Sequence, residues 1–252
     1  MEDHNSGEKK LTVRAVERSL DILVCFINER ELSLTDIAKR IALHKSTVFR
    51  LLNTLEQRGF LMKNPETEKY RLGFRVWELS SNLIGMDHPA TLFLPEMKRL
   101  RDSLGETISL YVRDGIERIR IQSVESNQAI RRVAPIGVRM PLSVGASSKV
   151  LLAFSKPELR VTLLAQLVNT YQLELEPFSE LLVKVREKGY ATSFEERELG
   201  AAAISTPILS RSNELIAALS VSGPVNRLNL KKLEEIAPII KESASLMGRM
   251  LM

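Results

Sequence analysis

The residues from Lys45 to Gly59 constrain the fold of this chain more than any other segment. Apolar side chains recur there at intervals of three and four residues, the spacing of one buried helix face. They are Val48, Leu51, Leu52 and Leu55. The opposite stripe is polar and contains Ser46, Arg50, Asn53 and Gln57. Because Gly59 suits a helix C-terminus, we predict a helix over residues 45–58 with one buried side and one side in solvent.

A shorter helix and a hairpin flank this segment. Ser33 is a suitable N-cap, with Asp36 three residues later, and predicts a helix that runs to Ile41. A tight connection leads from it to the next helix. Two alternating segments, residues 60–63 and 69–72, are joined by turn-forming residues and predict a β-hairpin. The order of these elements predicts a winged helix-turn-helix.

Further helices are expected on both sides of this unit. Residues 1–11 predict a loose tail, and residues 12–28 predict a helix whose apolar stripe we expect to be buried. The stripe contains Val13, Val16, Leu20, Leu23, Val24 and Ile27. Residues 74–84 predict a helix within a linker, residues 74–89. Packing of this helix against a partner subunit is one interpretation, and we interpret Trp77 as an anchor in that packing rather than as a platform for a ligand.

Positive charge is concentrated in the same region. Between Asp36 and Arg75 there are nine basic and four acidic residues, which accounts for the entire net charge of +5. A segment that meets a phosphate backbone is expected to carry such an excess. Taken alone, the charge is also compatible with an ordinary solvated basic face.

The rest of the chain predicts a second domain. Its 252 residues exceed a usual single-domain core, so we expect a DNA-binding domain at residues 12–73 and a second domain at residues 90–252. Strands are predicted at residues 107–114, 117–125, 130–134, 190–194, 201–209 and 215–222. Helices are predicted at residues 94–104, 147–154, 157–167, 180–188 and 230–251. Mixed strands and helices with hairpins indicate an α+β fold.

The N-terminal end of the central helix predicts a DNA-reading surface. In a helix-turn-helix, the second helix projects its first residues into the major groove. The candidate DNA-binding residues are Thr35, Lys45, Ser46, Thr47, Phe49, Arg50, Asn53, Lys69 and Arg71. Two alternatives stay open: Ser46 and Thr47 are also suitable helix-start residues, and Phe49 also suits the junction with the preceding helix.

A second candidate site lies about 100 residues later. Residues 145–148 are small and stand where an apolar strand ends and a helix begins, and free N–H groups at a helix start attract anions. An ordinary loop with a helix cap explains the same residues. Ser220 and Ser222 are two apart on a predicted strand and share a face, as do Ala201 and Ala203. Hydroxyls beside alanines suit a pocket for a small polar molecule.

The sequence argues against several other classes of protein. No apolar run reaches the ~20 residues of a membrane span, and Met1–Lys10 is polar, so we expect a cytoplasmic protein without a membrane partner. Cys25 has no second cysteine to pair with and suits core packing. His4, His44 and His88 are too scattered for a metal site, and no cofactor loop is present. Glu195 and Glu196 are adjacent, so on a strand they point to opposite faces and do not form an acid–base pair. We therefore expect no enzyme.

Several segments together resemble the IclR-type bacterial transcriptional regulators. In the N-terminal part these are residues 13–23, 34–38, 45–60 and 70–73. In the C-terminal part they are residues 136–153 and 189–200. The likeness covers nearly the whole chain. It implies a regulator, more often a repressor than an activator, that forms a homodimer or homotetramer and binds palindromic operator DNA. The alternative is an enzyme of small carboxylates whose winged helix serves protein contacts.

The resemblance also implies a GAF-like C-terminal domain that binds a small, often carboxylate-bearing effector. The implied contacts are the backbone of Gly145 and Ala146 and the side chains of Ser193, Ala201, Ala203, Ser220 and Ser222. The chain departs from the family pattern at three of its positions. Ser148 stands where glycine is common, Ser193 where aspartate is frequent, and Ala203 where cysteine is frequent. Arg131 and Arg132 are conceivable anion partners, although we interpret them as solvent-facing.

Overall fold

The computed structural model describes residues 12–81, 88–131 and 135–251. The chain divides into two compact units, Met1–Leu83 and Ile84–Met252. The predicted tail at residues 1–11 lies outside the described residues, as do positions 82–87 of the predicted linker. Within the parts that are described, no helix is long and apolar enough to cross a membrane.

The N-terminal unit is a winged helix-turn-helix, as the sequence predicts. Its elements are α1 (Arg14–Val24), α2 (Leu34–Arg40), α3 (Lys45–Gln57), β1 (Leu61–Lys63), β2 (Tyr70–Leu72) and α4 (Phe74–Ser81). The two strands pair antiparallel, and Leu32 adds an isolated bridge to Tyr70. The core formed by these elements contains Ile37, Val48, Leu52 and Leu55 from the predicted helix faces.

The start of α2 is fixed by a reciprocal cap. The Ser33 hydroxyl accepts a hydrogen bond from the Asp36 backbone N–H at 3.2 Å, and the Asp36 carboxylate accepts one from the Ser33 backbone N–H at 3.2 Å. The hydrogen bonds from Ser33 lower the pKa of the Asp36 carboxyl. Two otherwise unsatisfied N–H groups of the helix start are thereby satisfied. The cap therefore fixes the residue at which α2, the first helix of the helix-turn-helix, begins.

The predicted buried stripe of α1 is wrong. Ile22 and Phe26 are buried, and Leu23 packs partly against the core. Five members of the predicted stripe are instead more than half exposed, namely Val13, Val16, Leu20, Val24 and Ile27. Ile22 lies two residues from Leu20 and Val24, about 200° around the helix, so α1 has two apolar faces. Tertiary packing selects the smaller one, and the larger one lies in solvent in the isolated chain.

The linker region is described on both sides of residues 82–87. Trp77 is 69 % exposed on α4, and its role as an anchor against a partner subunit stays a prediction. The short helix α5 (Pro89–Leu92) begins at the end of the predicted linker, with His88 as its N-cap. The His88 ring nitrogen Nδ1 accepts a hydrogen bond from the Ala90 N–H at 3.2 Å.

The C-terminal unit is built on one six-stranded antiparallel sheet. Its elements after α5 are α6 (Leu94–Leu104), β3 (Thr107–Asp114), β4 (Glu117–Val124), β5 (Arg139–Pro141), α7 (Ala146–Ala153), α8 (Pro157–Tyr171), α9 (Leu175–Lys188), β6 (Ala191–Phe194), β7 (Ala201–Leu209), β8 (Leu215–Pro224) and α10 (Leu230–Met250). The strand order is β5-β4-β3-β8-β7-β6. This arrangement confirms the predicted α+β fold.

The two faces of the sheet bury different side chains. One face is apolar, and residues such as Ile108, Leu219 and Val221 pack there with α6 and α10. The other face is covered by α7, with α8 and α9 completing a second core around Leu151 and Leu182. Because successive residues of a strand alternate in direction, each central strand contributes to both.

The strand predicted at residues 130–134 is wrong where it is described. Ile130 and Arg131 are irregular, and residues 132–134 lie outside the described part. The strand that pairs with β4 forms later, at Arg139–Pro141. Ser126 explains why this strand begins at a later residue than predicted. Its hydroxyl donates to the Gly105 carbonyl oxygen at 2.5 Å and accepts from the Gln128 N–H at 3.1 Å. These bonds turn the chain away from the sheet edge.

Gly248 provides a test of how closely α10 packs on the sheet. A Cβ at this position would overlap the backbone carbonyl oxygen of Leu209 in β7. We expect Gly248→Ala to lower the free energy of unfolding by roughly 1–3 kcal/mol, because overpacking outweighs the better helix propensity of alanine. Urea denaturation would measure it. Ser245→Ala on the exposed side of α10 is the control, and equal stability of the two variants would contradict the close approach.

Candidate nucleic-acid interface and effector site

The outward face of α3 collects most of the predicted DNA-binding residues. Lys45, Ser46, Arg50 and Asn53 are exposed, while Val48 and Leu52 on the other side are fully buried. Burial of that apolar side fixes the rotation of the helix, so the polar side cannot turn inward. The helix therefore presents a row of donors to solvent.

The structure decides between the alternatives for the start of α3. The N-cap is His44, and no side chain caps the helix. Ser46 lies within the first turn, where its hydroxyl contacts the His44 ring nitrogen Nδ1 at 3.1 Å. Capping therefore does not occupy Ser46 or the half-buried Thr47. Phe49 is 47 % exposed, so the junction with α2 does not enclose its ring.

Two arginines of α1 join this surface, and the sequence analysis missed them. Arg14 and Arg18 line one cleft together with Thr47, Arg50 and Thr54. Their spacing of four residues on one helix was the available signal. Three guanidinium groups beside the start of α3 give the cleft the charge that suits a phosphate backbone.

The remaining DNA candidates lie around this face. Lys69 and Arg71 are exposed on the β1–β2 hairpin. At the base of its turn Lys63 pairs with Glu68 at 2.9 Å, and the hydrogen bond that Lys63 donates to this carboxylate raises the pKa of Lys63. Thr35 is half-buried in the first turn of α2.

The C-terminal candidates meet on the sheet face that α7 covers. Ser193, Ala203, Ser222 and Thr107 are consecutive partners across β6, β7, β8 and β3. Directly opposed residues of antiparallel strands point to the same side of a sheet. Register therefore places three of the predicted residues in one row, and adds Thr107 to them.

The next row carries further hydroxyl groups. Ser220, which was predicted, lies between Ser205 and Ser109, which were not. Ala201 is at the far end of β7, opposite Pro224. The alternation along β7 could have identified Ser205, because it is two residues from Ala203. Ser109 became a neighbour only through the pairing of β3 with β8.

Two of these hydroxyls are buried without a partner. Within the described residues, neither Ser205 Oγ nor Ser222 Oγ forms a hydrogen bond. Most buried polar groups in native proteins are satisfied, and an unsatisfied one costs about 1–3 kcal/mol. Two such hydroxyls on one face of the same sheet indicate a polar interior that suits a polar ligand.

The start of α7 faces the same interior. The strand-to-helix transition at Gly145 occurs as predicted, with φ +98° at this glycine and no side-chain cap. Among the described residues, no acceptor takes the backbone N–H groups of Ala146, Ser147 or Ser148, although all three residues are buried. The alternative explanation, an ordinary capped helix, therefore does not apply at the start of α7. Such N–H groups form an anion-binding position.

Charged side chains surround this helix start. Lys149 is buried, and its ammonium donates to the Thr192 carbonyl oxygen at 2.9 Å and to the Glu196 carboxylate at 2.5 Å. The other Glu196 oxygen accepts the Gly145 N–H at 3.3 Å. Glu195 turns elsewhere and accepts the Gly200 N–H at 2.7 Å, so the two acids do not form a catalytic pair.

Two buried arginines escaped the sequence analysis. Arg118 donates to the Pro141 and Val144 carbonyl oxygens at 2.8 and 2.7 Å and to the Ser148 hydroxyl, which braces the loop before α7. Arg120 donates to the Tyr111 hydroxyl at 3.0 Å. Arg131 instead pairs with Glu125 at the surface, at 3.0 Å, and Arg132 lies outside the described residues. A β-bulge in β3 at Leu110/Tyr111 aligns Tyr111 with Arg120, which no sequence pattern revealed.

A metal site finds no support in the described part of the chain. No group of three or more histidine, cysteine or acidic residues there could hold a metal ion. Cys25 is half-buried beside the N-terminal core, and burial raises the pKa of its thiol.

Comparison with known proteins agrees with this architecture. Residues 15–65 match the IclR helix-turn-helix domain, and residues 87–249 match the bacterial transcriptional regulator IclR C-terminal domain. The HTH-type transcriptional regulator XynR of Escherichia coli (strain K12) is 33% identical over 249 residues, which covers 95% of this chain and 97% of XynR. The acetate operon repressor of Salmonella typhimurium is 27% identical over 245 residues, with coverage of 92% and 88%.

A solved structure shows the same fold. An IclR homolog from Microbacterium hydrocarbonoxydans, complexed with 4-hydroxybenzoate, superimposes with a TM-score of 0.81 at 26% sequence identity. The match covers 94% of this chain and 98% of that one. The named relatives are transcriptional regulators rather than enzymes, so the enzyme alternative is set aside. The chain belongs to the IclR family of bacterial transcriptional regulators.

Proposed function

We propose that this regulator is a repressor that binds a palindromic operator in the cytoplasm and responds to a small carboxylate. The observation that carries the DNA-binding part is the polar face of α3, which is held outward by its buried side and flanked by Arg14 and Arg18. A relative that is named a repressor supports repression. The β1–β2 hairpin, with Lys69 and Arg71, adds positive charge beside α3.

The carboxylate preference follows from the chemistry at the start of α7. Unsatisfied N–H groups and the Lys149 ammonium favour an anion, while Ser222 and Ser205 offer hydroxyls to a second polar group. The structurally similar homolog is complexed with 4-hydroxybenzoate, which carries both a carboxylate and a hydroxyl. A ligand of this kind would bind in the C-terminal domain and shift the relative placement of paired DNA-binding domains.

The exposed face of α1 supports a homodimer. Its residues Val16, Leu20 and Val24, together with Val13 at the N-cap, recur at intervals of three and four, the spacing of a helix–helix seam. The exposed Ile27 follows three residues after the helix ends. A second copy of the same helix would cover this face. Two copies would also present two α3 helices to the two halves of a palindrome.

Arg50 tests the DNA-binding surface. A preferred duplex would first be selected with the wild-type protein from random sequences, and its affinity should fall steeply with salt. We expect Arg50→Ala to weaken binding to it by roughly tenfold to a hundredfold, because the guanidinium reaches a guanine edge or a phosphate. Fluorescence anisotropy would measure this. Arg58→Ala, at the opposite end of α3, is the matched control. Unchanged affinity of the Arg50 variant would exclude this face.

Ser222 tests the effector site. A thermal-shift screen of small carboxylates should give a stabilising hit, because ligand binding raises apparent stability. For such a hit we expect Ser222→Ala to lower affinity by roughly tenfold. Without ligand the variant should be at least as stable as the wild type, since an unsatisfied hydroxyl is removed. Ser212→Ala in an exposed turn is the control. Full affinity in the Ser222 variant would place the ligand elsewhere.

Leu20 tests the dimer. Sedimentation velocity should give the wild-type protein a mass of at least twice the 28.4 kDa chain. We expect Leu20→Glu to weaken this assembly and to reduce affinity for a two-half-site duplex, because a charge then lies in an apolar seam. Val161→Glu, at an exposed apolar position of α8, should change neither. A wild-type monomer that bound a palindrome tightly would overturn the proposal.

A further inference from the structure

Glu196 already occupies the position at which an effector carboxylate would bind. One of its oxygens accepts the Gly145 N–H at the start of α7, and the other pairs with the Lys149 ammonium. We propose that Glu196 is a built-in competitor of the effector: a ligand carboxylate must displace it, and the Glu196 side chain leaves the start of α7 when it does. This inference rests on the proposed carboxylate site at α7.

Burial explains why an internal anion is needed in the unliganded protein. Only 10% of the Lys149 side chain is exposed, and an isolated buried ammonium would carry a large desolvation cost. The Thr192 carbonyl oxygen supplies hydrogen bonding but no full negative charge. Glu196 supplies that charge from the loop until a ligand carboxylate replaces it.

The contacts of Glu196 are incomplete, which gives a ligand its advantage. Of the N–H groups at the start of α7, the Glu196 carboxylate accepts only that of Gly145. The N–H groups of Ala146, Ser147 and Ser148 have no acceptor among the described residues. Among the described residues the Ser222 hydroxyl on the sheet face that α7 covers is likewise without a partner. A free carboxylate is not limited by a tether, so it can approach N–H groups that Glu196 does not bind.

The surroundings of Glu196 allow its side chain to move. Glu196 is about one-third exposed, and Leu199 near the loop end is 87% exposed. Backbone strain is present at Glu195, where φ is +55°. Further along the loop, Arg197 contacts the Met140 sulfur, and the Gly200 carbonyl oxygen accepts the Val225 N–H at 3.0 Å. Displacement of the Glu196 side chain leaves these contacts and the surrounding core in place.

Competition of this kind would set the concentration at which the regulator responds. When the competent, unblocked state is a small fraction of the molecules, the apparent dissociation constant rises in inverse proportion to that fraction. A tethered side chain acts at an effective concentration in the millimolar range. The regulator would thereby respond only to higher concentrations of the carboxylate.

Formate, the smallest carboxylate, provides a probe that needs no knowledge of the natural effector. It would be titrated into the full-length protein at constant ionic strength, with chloride as the replaced anion. Binding would be followed by NMR at the backbone amides of Gly145 and Lys149. We expect Glu196→Gln and Glu196→Ala to lower the dissociation constant for formate by about tenfold, because the competitor is gone. Thermal denaturation would confirm that both variants are folded.

Glu195→Gln is the matched control. It changes the adjacent acid of the same loop and keeps an oxygen for the Gly200 N–H, but it does not touch Gly145 or Lys149. Its formate affinity should equal that of the wild type.

The outcomes separate the competitor from the site itself. Equal formate affinity in all proteins would overturn the competitor while the carboxylate site stands. Weaker binding in the Glu196 variants would make Glu196 part of the ligand-binding surface and would also overturn it. No response at Gly145 or Lys149 in any protein would overturn both the competitor and the proposed carboxylate site.

Discussion

The antiparallel register of β3, β8 and β7 is the constraint on which the C-terminal unit depends. It aligns Thr107, Ser222 and Ala203 on one face, and leaves Ile108, Val221 and Ile204 on the other. A slip of one residue would exchange the faces, placing the hydroxyls against α10 and the branched apolar chains against α7. The apolar core below the sheet and the polar interior above it are therefore consequences of the same pairing.

The polar interior carries a cost that the apolar core must offset. Within the described part of the chain, two buried hydroxyls and the first N–H groups of α7 lack partners, and these groups, with the buried Lys149, weaken the folded state. The extensive packing of α6 and α10 on the opposite face supplies the compensating burial. Such a division is expected where a protein keeps a rigid scaffold under a site whose groups await a partner.

In the N-terminal unit the corresponding constraint is the single buried side of α3. Val48, Leu52 and Leu55 fix its rotation, and the capped start of α2 fixes the helix that braces it. Helix α1 contributes little to this core, since only Ile22 is fully buried along its length. Its larger apolar face is therefore available to a second chain.

The sequence by itself determined the features that depend on local pattern. The period of α3, the Ser33–Asp36 cap, the hairpin after Gly59 and the strand-to-helix transition at Gly145 are all properties of neighbouring residues, and all appear in the structure. Periodicity also placed Ser220 and Ser222 on one face of a strand, because alternation along a strand is local.

Tertiary structure alone decided which of two apolar faces α1 buries, that residues 127–131 leave the sheet edge, and that Ser205 and Ser109 join Ser220. It also decided that the Glu196 carboxylate meets Gly145, 51 residues earlier in the chain. Contacts between residues so far apart in sequence leave no periodic trace, because they depend on strand pairing and helix packing rather than on the spacing of neighbours.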